Sequence, residues 1–504
     1  MRRLNALVLL TVLGALLAGC ASSAIVMAPE RPDRPWTPAV TETGEIIPDE
    51  KPPPELAKSE AFVLPSNLAL GELPPLLELD GDKVYSLPEL IDIAQMGNPL
   101  TRRAWNAAKE AALAAGIAKS AYLPRVTAAA VGGWQMLQSD PTVTTARGTI
   151  SSVSVQWLLF DFGERAAIAE AASQLSAVAN IGFTAAHQRL IHEVSLAFYT
   201  NAATRARVGN ASQSLTNAQH IEVIAQEKME RGIGTVVELA QARQATAQAR
   251  LGLVEAQGAA QNAYLGLLSA MGVSPRSKIK VADVSNRRLS PALADYADEV
   301  ISDALARRPD ILAAYAAQKA SLANVRAAEV DYLPKLFIAS TGTYNSGHIS
   351  VSGIPGIGNL SSITNLGGRG YGATTLAGVA FPLYDAGERG ALLKQAEAKA
   401  DSAKLTLVHT RDEAVRQIVL SNNGLRTSLS AFKASTALSS AAQTTFDAAF
   451  TAFRSGVGPV TDAISAQSSL LQARNASTDA YSTALAAAAT LALSTGSLGA
   501  APPD

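Results

Sequence analysis

Asp161-Phe162-Gly163-Glu164-Arg165 opens a run, Glu164 to Glu230, in which 67 consecutive residues contain no proline. The pattern returns later in the chain: Asp385-Ala386-Gly387-Glu388-Arg389 opens Glu388 to Arg454, a second proline-free run of equal length, at an offset of 224. Apolar positions step by three and four in both runs, as in Ile168-Ala171-Leu175-Val178 and Leu425-Leu429-Phe432, which is the signature of an amphipathic helix. At about 1.5 Å per residue each run would span about 100 Å. A mean globular helix has about 11 to 12 residues, so two helices of this length decide the fold.

Reading outward, each run ends at a glycine turn, Gly232-Ile233-Gly234 and Gly456-Val457-Gly458, and a further helix follows, Thr235 to Met271 and Val460 to about Leu493. Upstream, Tyr122-Leu123-Pro124 recurs as Tyr332-Leu333-Pro334, and Asn98-Pro99 aligns with Arg308-Pro309, both at an offset of 210. The change of offset places an insertion between Tyr-Leu-Pro and Asp-x-Gly in the second copy. Between those motifs lie two alternating stretches per copy, about Arg125 to Gln138, Gly148 to Phe160, Lys335 to Ser346 and Gly370 to Tyr384. In Ser152-Val153-Ser154-Val155-Gln156-Trp157 polar and apolar residues alternate with period two, as in a strand wetted on one side. The loops Ser139 to Arg147 and Gly347 to Arg369 separate the strands of each pair. Two internal repeats follow, in an α+β arrangement. The first covers 86–274 (strand pair 125–160, long helix 164–230, tip 231–235). A connector covers 275–295. The second repeat covers 296–498 (strand pair 335–384, long helix 388–454, tip 455–459), and 499–504 is a tail.

The remaining composition narrows the function. The chain has 504 residues, net charge -1, 5% aromatics and one cysteine. With no basic excess there is no electrostatic footprint for nucleic acid, and one cysteine makes neither an internal disulfide nor a cysteine-based zinc site. His187 and His192 are five apart and do not share the face of an i, i+4 metal pair, so no metal or cofactor is expected. No Gly-x-Ser-x-Gly elbow occurs, and no enzyme is expected. Arg2 and Arg3 precede an apolar run, Leu4 to Leu17, which is the pattern of an export signal over 1–19. Leu17-Ala18-Gly19-Cys20 resembles the lipobox of bacterial lipoproteins, which implies acylation of Cys20; Ala21 implies sorting to the outer membrane. Eleven prolines between Pro29 and Pro75 make 20–85 an extended, non-helical linker.

Four strands cannot close a membrane barrel, since such barrels begin at about 8 strands and an open edge in lipid strands its N–H and C=O groups. Three copies would supply about 12 strands and about 12 helical staves of about 100 Å beneath them, so an α+β membrane protein, a barrel-and-tunnel oligomer, is expected.

Taken in order, twice, with equal long helices and a lipobox, these motifs make the chain resemble the TolC-like outer-membrane efflux proteins, in their lipoprotein branch. The resemblance covers about 86 to 498. It implies a homotrimer with a 12-stranded β-barrel in the outer membrane and an α-helical periplasmic tunnel, acting as a passive exit duct for small molecules such as drugs. The implied partners are a periplasmic adaptor and an inner-membrane transporter of the resistance-nodulation-division type. A duct for type I protein secretion, or a structural periplasmic lipoprotein without a pore, stay open as alternatives. The tip turns, Arg231, Gly232, Gly234 and Thr235 with Gly456, Gly458 and Pro459, are where the resemblance places adaptor docking, with Phe453 as the aromatic usual before the turn. Glycine is needed there in any case to reverse a helix. TolC lines its periplasmic constriction with two aspartates three apart. Here Asp462 and Ser465 occupy those positions, and Glu238 and Gln241 occupy them in the first repeat. A ring of three Asp462 carboxylates would favour cations; the bland reading is an acid favoured by the helix dipole.

Overall fold

The computed structural model describes residues 28–29, 32–33, 35–47, 62–72, 79–139, 142–284, 298–347 and 370–499. The chain divides into two compact units, Met1–Glu78 and Leu79–Asp504. Cys20, the export signal and most of the Gly347 to Arg369 loop lie outside the described residues.

The first unit holds a small hairpin, β1 (Ala39–Val40) against β2 (Ile46–Ile47). Its turn needs Gly44: φ is +84°, and an added Cβ would lie 2.0 Å from the Ser66 carbonyl oxygen.

In the second unit the elements run β3 (Val84–Tyr85), α1 (Leu87–Gly97), α2 (Pro99–Ser120), β4 (Arg125–Ser139), β5 (Thr142–Phe160), α3 (Glu164–Glu230), α4 (Val236–Met271) and β6 (Lys280–Val281). They continue with α5 (Asp298–Arg307), α6 (Pro309–Val330), β7 (Lys335–Gly347), β8 (Gly370–Ala380), α7 (Glu388–Ser455) and α8 (Val460–Ser494). The four long strands form one antiparallel sheet in the order β4-β5-β7-β8, so the two hairpins meet at β5 and β7, and among the described residues both outer strands carry an open edge.

The strand-to-helix corners show why Asp-x-Gly-Glu-Arg was legible. Asp161 accepts from the amides of Gly163 (3.3 Å) and Arg165 (2.9 Å) and from Arg165 Nε (2.8 Å). Asp385 accepts from Gly387 N (3.0 Å), Arg389 N (3.1 Å) and one Arg389 guanidinium nitrogen (2.9 Å). In both corners the intervening residue, Phe162 or Ala386, sits at φ +53°, and the glycine that follows is left-handed as well, at +101° and +89°. In each corner one carboxylate therefore opens a helix of 67 or 68 residues, directly after β5 in the first repeat and five residues past the end of β8 in the second. Burial works to raise the Asp161 pKa, but the Arg165 and Gly163 donors outweigh it and hold the carboxyl below its ordinary value.

Near the joints of α1 and α4 a core gathers Tyr85, Leu90, Leu190, Val194, Phe198, Leu267, Met271 and Leu485. The x-Pro motifs dock there by the same device in each repeat. Asn98 Nδ2 donates to Ala270 O at 3.1 Å, and the Arg308 guanidinium donates to Ser494 O at 2.7 Å. Ala270 and Ser494 are related by the same offset as the two Asp-x-Gly corners, so each helix-opening x-Pro is pinned to the end of its own return helix. The left-handed Gly272 and Gly496, at +71° and +67°, turn the chain beside these contacts.

Three expectations are corrected. The linker was set at 20–85, but Leu79 to Tyr85 belongs to the second unit, where Tyr85 is buried and Val84 and Tyr85 pair in parallel with Lys280 and Val281. The connector 275–295 thus supplies a strand, held because Ile279 N donates to the Tyr264 hydroxyl at 2.8 Å. The loop expected at Ser139 to Arg147 is strand from Thr142 onward, paired down to Ser139 opposite Thr142, where Thr142, Val143, Thr144 and Thr145 supply the β-branched residues that extended backbone favours. Finally, β8 stops at Ala380 instead of reaching Tyr384, because Pro382 has no N–H for a ladder.

Candidate functional site

The residues expected at the tip fall on two turns of one design. After α3, the amides of Ile233 and Gly234 both donate to Lys228 O at 3.0 Å, and Gly232 N donates to Met229 O at 3.0 Å. After α7, Val457 and Gly458 donate to Ala452 O at 3.0 and 3.2 Å, and Gly456 N donates to Phe453 O at 3.1 Å. These bonds occupy the last carbonyls of each helix. Gly232 and Gly456 are left-handed, at +75° and +81°. Gly234 and Gly458 are glycine for space, since a Cβ would come within 3.0 Å of Lys228 Cβ and Ala452 Cβ. Thr235 caps α4: its hydroxyl accepts from Glu238 N (3.1 Å) and Glu238 Oε2 accepts from Thr235 N (2.8 Å). Pro459 stands before α8 and gives no side-chain cap. Arg231 is exposed, 3.8 Å from Glu227.

Phe453 departs from its expected role. It is 1% exposed, packed with Ile221, Leu239, Phe446 and Val460, while Met229 of the first hairpin packs on the same cluster. Lys228 lies 4.2 Å above its ring and donates to its carbonyl. A side chain enclosed between the two hairpins joins them to each other and offers no surface to a partner. What the tip does expose is Ile233 (73%), Val236, Val237 and Val457 (83%). Sequence reasoning included Ile233 and Val457 within the tip turns but attended to the glycines around them, and it passed over Val236 and Val237. The signal was there: an apolar residue between two glycines has no neighbouring side chain to cover it, and the arrangement occurs at both turns.

Of the four residues expected at a constriction, two come together. Gln241 and Ser465 line a groove of about 920 Å³ between α3, α4 and α8, with Gln244, Gln248, Ser468 and Gln472 along its walls. Glu238 is engaged at the start of its own helix, and Asp462 is exposed in the first turn of α8; neither lines the groove. The wall near the tip is therefore amide and hydroxyl. Charge enters farther along, where Arg207 of α3 and Glu255 of α4 also line the groove and Arg207 pairs with Asp479 of α8. Among the described residues no group of three His, Cys, Asp or Glu side chains is placed to hold a metal ion.

The sheet presents two chemically different faces. Directly paired residues share a face, so the register puts Val126, Ala128, Trp134, Val153, Val155, Trp157, Ile338, Tyr344, Tyr371 and Val379 on one side. The other side carries Thr127, Ser152, Ser154, Gln156, Thr341, Thr343, Asn345 and Thr374. There are exceptions, Arg147, Thr149, Ser151, Ser340, Ser346 and Thr375 on the first and Val131, Ile150, Leu158, Phe337 and Leu376 on the second. Trp157 and the position opposite Trp134, Arg147, are ten residues apart. That is about 33 Å of strand, or about 23 Å of depth at a 45° tilt, close to the apolar band of about 25 Å between the aromatic girdles of an outer-membrane barrel. No described helix is long and apolar enough to cross a membrane.

The model of the family described as "Outer membrane efflux protein" matches residues 90–273 and 300–497, one match for each repeat. The chain belongs to the outer membrane efflux protein family. Members of this family are channel proteins and not enzymes, and the expected resemblance holds. Protein CyaE of Bordetella pertussis is 27% identical over 405 residues, covering 80% of this chain and 81% of that protein. Outer membrane protein OprJ of Pseudomonas aeruginosa is 24% identical over 337 residues, 66% of this chain and 67% of its own. The pyoverdine export outer membrane protein OpmQ of Pseudomonas putida is 32% identical over 151 residues, 29% and 31% of the two chains. Among solved structures, the outer-membrane channel OprN superposes with a TM-score of 0.70 at 18% identity, covering 94% of this efflux protein and 99% of that chain. VceC of Vibrio cholerae gives 0.68 at 19%, covering 81% and 96%. These two likenesses establish the fold, a TolC-like architecture of long helices joined to a sheet.

Proposed function

We propose that this protein is the outer-membrane exit duct of a tripartite efflux system: a homotrimer, anchored by acylated Cys20, that passively conducts small molecules such as drugs. A periplasmic adaptor and a resistance-nodulation-division transporter of the inner membrane deliver them. The observation that carries the reading is the four-stranded sheet, which is greasy and aromatic-flanked on one face, hydroxylated on the other and open at both edges. Closed by further copies into a 12-stranded barrel, such a sheet turns one face to lipid and encloses a polar lumen. The long helices continue that lumen into the periplasm. OpmQ, named for pyoverdine export, supports small-molecule cargo.

At the tip, Ile233 and Val457 form the surface an adaptor meets, and Phe453 keeps the two hairpins in register beneath it. Three Asp462 carboxylates give the entrance a mild preference for cations, diluted by the amide wall of Gln241 and Ser465. The test is cross-linking in living cells, followed by purification of this protein and mass spectrometry of what accompanies it. An adaptor with a proton-driven transporter is expected. An adaptor with an ABC exporter moves the assignment to protein secretion, and self cross-links with neither remove the tripartite reading.

A further inference from the structure

The apolar, aromatic-flanked face of the sheet ends, away from the helices, in a shallow hollow of about 700 Å³ walled by Gly132, Trp134, Arg147, Thr149 and Ser346. The register brings these residues together. Trp134 stands opposite Arg147, Gly132 opposite Thr149, and Thr149 opposite Ser346, so all five share that face in two successive rows about 7 Å apart. Gly132 is what keeps the space open, since it sets no side chain beside the Thr149 methyl, where a Cβ would lie 3.4 Å away.

Every polar group around the hollow has a hydrogen to give. Arg147 is exposed and has neither an ion pair nor a hydrogen bond among the described residues. Trp157 at the other end of the face donates its indole N–H to Tyr122 O at 2.9 Å, whereas the Trp134 indole N–H has no partner among the described residues. The Thr149 and Ser346 hydroxyls lie 3.1 Å apart, so one donates to the other and the second keeps its hydrogen free. No carboxylate balances them: the four strands contain no Asp or Glu, and their other cations, Arg125 and Lys335, stand at the helix end of the sheet. An arginine on a lipid-facing surface is costly at mid-depth and tolerated at headgroup level. Arg147 lies at that level, ten residues along β5 from Trp157.

We propose that this hollow binds the phosphate monoester headgroup of a lipid in the outer leaflet. The proposal rests on the membrane barrel described above, which turns this face to lipid and the hairpin end of the sheet to the exterior. The Arg147 guanidinium takes two phosphate oxygens through its planar fork, and Trp134 and the Thr149–Ser346 pair supply further donors to the rest. A monoester fits better than a zwitterionic headgroup, because a site made only of donors has nothing to hold an ammonium group. Below the hollow the face stays low along β4, through Ala130 and Ala128, while the Tyr344 and Tyr371 rings, 5.4 Å apart, rise on the other hairpin. The acyl chain lies along that low strip, so headgroup and chain are both received by one copy.

The test uses the full chain, extracted from membranes and reconstituted into phosphatidylcholine vesicles that contain a minor share of phosphatidic acid. After mild extraction, native mass spectrometry identifies and counts the lipid that stays bound. The wild type is expected to retain phosphatidic acid in preference to phosphatidylcholine, one molecule per copy. R147Q lowers that retention by about tenfold, as the loss of a charge-assisted hydrogen bond predicts. R147K, which keeps the charge and loses the fork, falls in between and guards against a disturbed hairpin in R147Q. Inorganic phosphate at the same concentration leaves the lipid in place; displacement by it would make the hollow a site for free anions and overturn the lipid assignment. Retention that is equal for the two lipids, or unchanged in both variants, overturns the site while the duct stands. A wild-type chain that enters vesicles of neither composition overturns both.

Discussion

Phe453 and Met229 occupy equivalent places before the two tip turns, and both turn inward. The ring of Phe453 fills the space between hairpins, with Lys228 above it. Replacing it with alanine leaves a cavity walled by Ile221, Leu239 and Val460, at a cost of about 3–5 kcal/mol. The expected outcome for Phe453→Ala is proteolytic nicking at the tip turns under conditions where the wild type resists, with the strand region unaffected. Phe453→Leu is expected to lie in between.

Glu89 makes a second residue-scale case. Its carboxylate accepts hydrogen bonds from Lys83, from Ser86 N (2.8 Å) and from the Ser86 hydroxyl (2.7 Å), which together lower its pKa from 4.5 to about 2. A pKa depressed in the folded state stabilises above the unfolded value and is lost as pH falls through the folded one, so the start of α1 loosens between about pH 4.5 and 2. Hydrogen exchange at the α1 amides, corrected for intrinsic rates, is expected to rise over that window in the wild type. In Glu89→Gln it stays flat.

At the scale of elements, the corners and joints carry the architecture. Gly272 is left-handed, and an added Cβ would lie 3.1 Å from Asn98; Gly496 is left-handed with 3.4 Å to Arg307 and Arg308. Gly272→Ala therefore meets both a backbone penalty of about 1–2 kcal/mol and a tight contact, and Gly496→Ala mainly the first. Denaturant unfolding of the extracted protein is expected to rank them in that order.

These joints also mark where sequence reading stops. The long helices were legible because proline-free runs with threefold and fourfold apolar steps admit little else, and their starts were legible because Asp-x-Gly-Glu-Arg is a local motif whose bonds span five residues. Asn98 to Ala270 and Arg308 to Ser494 were not, since they join residues 172 and 186 positions apart and involve backbone carbonyls, which leave no mark on composition. Phe453 was misread for a related reason. One aromatic near a turn looks the same in sequence whether it faces outward or inward, and only the facing hairpin decides. The extension of β5 back to Thr142 was hidden by Ser, Thr and Pro at the hairpin end, residues that serve turns and strands alike.

For the whole molecule, the proposed duct would take its selectivity from the composition of its entrance. With Glu238 engaged at its helix start, and Gln241 and Ser465 lining the groove with an amide and a hydroxyl, Asp462 is the remaining acid of the four positions proposed for the entrance. In planar bilayers, Asp462→Asn is expected to lower the cation-over-anion permeability ratio of the purified oligomer with little change in open conductance. An equal effect from Gln241→Ala would shift the constriction to the groove.

The proposed anchor and the proposed barrel would make separable contributions to membrane residence. Acyl chains on Cys20 would hold by burying methylenes, at about 0.8 kcal/mol each. The sheet would hold because its backbone groups are all paired only when a barrel is closed in lipid. Cys20→Ala would abolish the first and leave the second. If the strands form a barrel, the variant loses fatty-acid labelling yet stays in the outer-membrane fraction as an oligomer that heating dissociates. If the protein were a periplasmic lipoprotein without a pore, the same substitution would release it into the soluble fraction. Fractionation with a heated and an unheated gel distinguishes the two. The aromatic-flanked face that carries Trp134 and Trp157 would have no purpose in a protein that left the membrane with its lipid.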